Sequence, residues 1–122
     1  MKKIYTIGYQ GKTIDQLIDS LKTRSVELLV DVRSRPYGRK KEFNRESLHQ
    51  SLSENHICYI WAGETLGGFG KIDDSAIHSL ALLVEDTTIC IMCMEKDHQK
   101  CHRSYEIARR VMEQHGIIAI HI

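Results

Sequence analysis

Thr88-Ile-Cys-Ile-Met-Cys93-Met-Glu95-Lys-Asp-His98-Gln-Lys-Cys101-His102-Arg103-Ser104 is the segment on which the fold turns. Its first half is apolar and has the length of a buried strand. Tyr105 to His115 then reads as a helix, and Gly116 stands where a left-handed residue closes one. Between strand and helix lie two thiols, a carboxylate, two imidazoles and an arginine, a cluster for which a core has no use. Strand-to-helix junctions are where α/β proteins hold ligands, because a helix start offers free N–H groups and a partial positive charge.

Working outward, the same unit repeats. Lys3 to Ile7 is a strand, and Thr13-Ile-Asp-Gln16 has the form of a capping box. Ile14, Leu17, Ile18 and Leu21 follow at helical spacing. Glu27 to Val32 reads as a buried strand, and Asn44 as the cap of a short helix carrying Leu48 and Leu52. Ile57 to Ile60 is a third strand. Asp73 or Asp74 starts a helix with Ile77, Leu80, Ala81 and Val84 on one side. Thr87 to Cys93 is the fourth strand, and Ile117 to Ile122 the closing one. Strand alternating with helix predicts a single α/β domain over residues 1–122, three layers α/β/α around a mostly parallel five-stranded sheet. The crossovers are expected to be right-handed. The pattern leaves strand order open.

At 122 residues, 42% hydrophobic and 27% charged, the composition is that of a globular protein with a core of its own. No apolar run is long enough to span a bilayer, so no membrane partner is expected. The first residues run into a strand without a signal-peptide pattern. Four cysteines, Cys58, Cys90, Cys93 and Cys101, fit reduced thiols and a cytoplasmic location better than a disulfide framework. Net charge is +1, which implies no global attraction to nucleic acid. Its distribution is uneven: Arg33, Arg35, Arg39, Lys40, Lys41 and Arg45 stand against only Glu42 and Glu46. Such a run is either a solvated loop or a phosphate-facing patch.

In a parallel sheet ligands sit beyond the C-terminal strand ends. Those loops are Gly8 to Lys12, Arg33 to Lys41, Ala62 to Lys71 and Met94 to Arg103, and they hold most of the glycines, the basic run and the thiol–histidine block. Cys101, beside His102 and Arg103 at a helix start, is placed to ionise. Cys93 is its partner across the loop, or a small core residue. Glu95 reads as a general acid or base, or as an ion-pair partner. The candidate catalytic set is therefore Cys93, Glu95, Cys101 and His102. Tyr9, Arg33, Arg35, Arg39, Gly67, Gly68 and Arg103 form the candidate ligand-binding set: guanidinium forks match phosphate oxygens, glycines admit a ligand close to the backbone, and an aromatic ring can stack. Asp31, at the end of an apolar run, needs a partner: it is expected to hold Arg33, to orient a histidine or to cap a neighbouring turn, holding a loop being the commoner role. Cys58 and Cys90 read as packing residues. His49, His56, His78, His115 and His121 receive no role. Adjacent Cys101 and His102 point apart, so zinc is not expected, and neither is a cofactor. Gly11-Lys-Thr13 lacks the earlier glycine of a P-loop.

Thr6-Ile-Gly-Tyr-Gln-Gly11, Val30-Asp-Val-Arg33, Leu66-Gly-Gly68 and Cys93-Met-Glu95 with Cys101-His-Arg103 resemble the domain-of-unknown-function 488 family. That resemblance implies a small, mostly prokaryotic α/β domain and brings no activity with it. Three functions compete. One is an enzyme or ligand-binding domain for a phosphate-bearing small molecule, nucleotide or nucleic-acid-related. The second is a rhodanese-like sulfur carrier, which Asp-Val-Arg and the strand–Cys–loop–helix order resemble, although Met94 to Cys101 is long, charged and without glycine. The third is a non-catalytic nucleic-acid-binding module. The first is the principal expectation.

Overall fold

Parallel strands are covered on both faces, and the two central sequences reflect it: Leu28–Asp31 and Ile89–Cys93 are buried at every residue. The computed structural model describes residues 2–67, 72–95 and 101–122, with backbone alone at 102 and 103. Strands β1 (Lys3–Gly8), β2 (Leu28–Asp31), β3 (Cys58–Trp61), β4 (Ile89–Cys93) and β5 (Ile118–His121) form one sheet in the order β3-β2-β4-β1-β5. Every pairing is parallel, so the mostly parallel sheet expected from the pattern is wholly so.

The helices are α1 (Ile14–Thr23), α2 (Arg45–Glu54), α3 (Gly63–Leu66), α4 (Asp74–Val84) and α5 (His102–His115). On one face α1 and α2 bury Leu17, Leu21, Leu48 and Leu52 against Tyr5, Leu29, Cys90 and Met92. On the other, α4 and α5 bury Ile77, Leu80, Ile107 and Val111 against Ile4, Val30, Ile91 and Cys93. Each such aliphatic side chain contributes about 1.5–3 kcal/mol by leaving water. This is the three-layer α/β/α arrangement. Strand parity assigns the faces: Cys90 and Cys93 have Cys-x-x-Cys spacing, but an odd offset on a strand sends them to opposite sides of the sheet.

Local chemistry sets the boundaries. The Thr13 capping box forms, with Gln16 N–H donating to Thr13 Oγ1 at 3.1 Å and Thr13 N–H donating to Gln16 Oε1 at 2.9 Å. Gly116 closes α5 at φ +66°. Asn44 precedes α2 as expected, but its Oδ1 accepts from the Gly38 N–H at 2.8 Å and not from the helix. Three expectations are corrected. α5 begins at His102 and not at Tyr105, because Tyr105 N–H already bonds the Cys101 carbonyl at 2.9 Å. The segment expected as an open loop after β3 holds the one-turn α3. Cys58 is exposed and not packed, because β3 is an edge strand whose residues alternate between exposed and half-buried. A 3₁₀ turn, Lys41–Phe43, also interrupts the basic run.

The connections make a crevice. The chain leaves β2 toward α2 on one face and leaves its neighbour β4 toward α5 on the other, the divergence that opens ligand sites in such sheets. Among the described residues no helix is long and apolar enough to cross a membrane.

Candidate functional site

The register β1 Gly8↔β4 Cys93 and β2 Asp31↔β4 Met92 brings three strand ends level. Pairing continues past them: Tyr9 N–H reaches the Cys93 carbonyl at 3.2 Å and Val32 N–H the Met92 carbonyl at 3.1 Å. The loops after β1, β2 and β4 therefore start side by side.

Asp31 is fully buried, and its carboxylate is saturated. Arg33 donates from Nε to Oδ1 at 2.9 Å and from Nη2 to Oδ2 at 2.8 Å, its backbone N–H bonds Oδ1 at 3.1 Å, and the Tyr59 hydroxyl donates to Oδ2 at 2.6 Å. Arg33 lies two residues beyond Asp31, the last residue of β2, and its side chain turns back to the same side of the chain. Arg33 Nη2 also donates to the Phe43 carbonyl at 2.8 Å. Burial works against the Arg33 charge, yet the Asp31 carboxylate together with Tyr9 outweighs it and holds the pKa above its ordinary value. Burial, then the bond to Asp31, push the Tyr59 phenol up as well. Arg33, expected as an anion ligand, is thus 4% exposed and committed mainly to the protein.

Above this pair opens a cleft of about 450 Å³, lined by Tyr9, Arg33, Arg35, Arg39, Lys40 and Glu95 together with residues between them. Tyr9 is stacked on Phe43 with ring centroids 4.5 Å apart and faces the Arg33 guanidinium at 5.2 Å. Tyr37 also lines the cleft, is 56% exposed, and donates to Glu46 at 3.0 Å. It is the ring with surface to offer. Lys40, named in the basic run but not in the ligand-binding set, joins the wall and ties its ammonium to the Lys12 carbonyl at 2.9 Å.

The thiols lie on the other side of the sheet. Because Asp31 is level with Met92, the neighbouring Cys93 faces α5, away from Arg33. Cys93 and Cys101 are each 2% exposed among aliphatic side chains. Glu95 is the link: it lines both the basic cleft and a small pocket with Cys93, Thr6, Ser104 and His121. His121, given no role from the sequence, shares a hydrogen bond with Thr6. It was not visible there because β5 reaches Thr6 only through register.

Gly67 does not line the cleft. A Cβ on it would lie 2.0 Å from the Gly63 carbonyl oxygen and 2.9 Å from Ser34 Oγ, and one on Gly63 would lie 2.1 Å from the Arg33 carbonyl oxygen. Gly63 lets α3 press against the Arg33 backbone, and Gly67 lets the chain fold closely over Gly63 beside the Ser34 side chain. Gly68, His98, and the side chains of His102 and Arg103 lie outside the described residues.

The family model for "Domain of unknown function DUF488" matches residues 13–74, about half the chain, and the chain belongs to that family. The matched span carries Asp31-Val-Arg33 and stops short of the thiol block. Neither a curated protein nor a solved structure matches significantly.

Proposed function

We propose that this member of the DUF488 family binds a phosphate-bearing small molecule, of nucleotide kind, beyond the C-terminal ends of β1, β2 and β4. The supporting observation is the clustering of Arg35, Arg39 and Lys40 from one loop around a single cleft of about 450 Å³. That volume is the size of small-molecule sites. Guanidinium forks bind phosphate oxygens two at a time, and Tyr37 offers a ring face to a base. Arg33, locked on Asp31, positions the loop and adds its field. Arg103, at the start of α5, belongs to the same proposed binding set. Glu95 at the inner wall, with His102 at the head of α5, would serve proton transfer to a bound ligand, and Cys93 and Cys101 stand behind it. Four cysteines outside any disulfide suit the reducing cytoplasm. The sulfur-carrier alternative is disfavoured by the burial of both Cys93 and Cys101, since a carrier thiol must meet its donor.

Titration of the isotope-labelled chain with pyrophosphate and nucleoside diphosphates tests this. Amide shifts should gather at Tyr9–Gly11, Ser34–Lys40 and Glu95, and Arg35→Ala with Arg39→Ala should weaken binding together. A polynucleotide that binds with a far steeper salt dependence than the small ligands would transfer the site to nucleic acid. Shifts confined to other surfaces would refute the cleft.

A further inference from the structure

Behind the cleft, on the α5 face, three metal-binding side chains converge. The sulfurs of Cys93 and Cys101 and a carboxylate oxygen of Glu95 all lie within 4.8 Å of one another. Cys93 ends β4, Cys101 is the residue that precedes the first turn of α5, and both cysteines are buried. Cys93 Sγ lies 3.7 Å from the Glu95 carbonyl oxygen. Glu95 Oε2 is buried and finds no hydrogen-bond partner among the described residues. An unsatisfied buried acceptor costs about 1–3 kcal/mol, and more when charged. Two thiols, which are weak donors, do not supply what such a carboxylate lacks.

We propose that Cys93, Glu95 and Cys101 form a binding site for a soft divalent cation, zinc foremost. Zinc takes thiolate sulfur at about 2.3 Å and carboxylate oxygen at about 2.0–2.2 Å, which sets tetrahedral sulfur–sulfur edges of about 3.7 Å. The three donors therefore need to close by only about 1 Å, within the reach of side-chain rotation. Two sulfurs select against magnesium and calcium, which prefer oxygen. Three protein donors leave one coordination position for water or another donor, and Glu95 also lines the basic cleft. Adjacent Cys101 and His102 argued against zinc only if both had to serve. Here Cys101 serves with residues of β4 and its loop. The site goes beyond phosphate binding and does not depend on it. With metal bound, Glu95 is a ligand and no longer a carrier of protons.

The test uses the full chain, reduced and stripped by chelation, with cobalt or zinc as the sole addition. One cobalt per chain should bind with a sulfur-to-cobalt charge-transfer band, and zinc should displace it. The band should persist in Cys58→Ser, and be lost in Cys93→Ser and Cys101→Ser. Glu95→Gln should fold and weaken affinity at least about tenfold, the scale set by groups that merely support a ligand. X-ray absorption on the wild-type zinc form should count two sulfurs, a readout that needs no variant. Binding below one metal per chain, a band indifferent to Cys93 and Cys101, or a zinc shell without two sulfurs would each overturn the site. Pyrophosphate titration of the metal-free chain tests the cleft separately.

Discussion

At the residue scale, Asp31 and Arg33 decide whether the cleft keeps its wall. Both are buried, so removing one charge strands the other. Asp31→Asn should cost about 3–5 kcal/mol in urea unfolding, the scale for breaking a buried pair. Tyr59→Phe removes one neutral donor to the same carboxylate and should cost less, about 1.5–3 kcal/mol. The Tyr59 phenol also gives the pH dependence a sign. Its folded pKa is raised above the unfolded value of about 10, so its contribution is complete below that pH and lost as pH rises beyond it. Tyr59→Phe should therefore flatten the alkaline fall in stability. An alkaline slope unchanged by that substitution would remove Tyr59 as its cause. The Asp31–Arg33 pairing was legible in the sequence as one of the roles open to Asp31, because a carboxylate ending an apolar run needs a partner and Arg33 is two residues away. The role of Gly67 was not, because it depends on meeting Gly63 and Ser34, contacts that no local spacing encodes.

At the scale of elements, two helix starts with similar sequence signatures do different work. Thr13 closes a capping box on α1, whereas Asn44 turns away from α2 to hold Gly38 in the basic loop. Thr13→Ala should cost about 1 kcal/mol of stability and leave the cleft's amide resonances in place. Asn44→Ala should cost a similar amount, the net worth of one hydrogen bond of about 1 kcal/mol, and should move the Gly38 and Arg39 resonances. Equal perturbation of the cleft by both variants would contradict that division. Apolar periodicity revealed where α1, α4 and the central strands lie because core faces repeat at 3.6 or 2 residues. It missed the first turn of α5, where His102-Arg103-Ser104 carries no apolar stripe, and the short α3, which ends too soon to show a period.

At the scale of the molecule, strand order is what the repeat of strand and helix could not supply, since many orders share one pattern. The order β3-β2-β4-β1-β5 puts the two most buried sequences at the centre and places Cys93 opposite Arg33. A shared rim for thiols and guanidinium groups, expected from loop positions alone, therefore narrows to Glu95. The same order predicts how the fold opens. β4 is bonded on both sides and packed on both faces, while β3 has one neighbour and β5 is exposed at Ile120. Local opening follows the least packed elements and global unfolding the most packed. Native-state hydrogen exchange should accordingly give β4 and β1 amides the protection of global unfolding, with β3 and β5 exchanging at lower free energy. The same ranking should survive Asp31→Asn, because that change lowers the whole sheet's stability without altering its centre. If β3 amides were instead as protected as those of β4, that edge would be covered in solution, and a partner chain along Cys58–Trp61 would have to be sought.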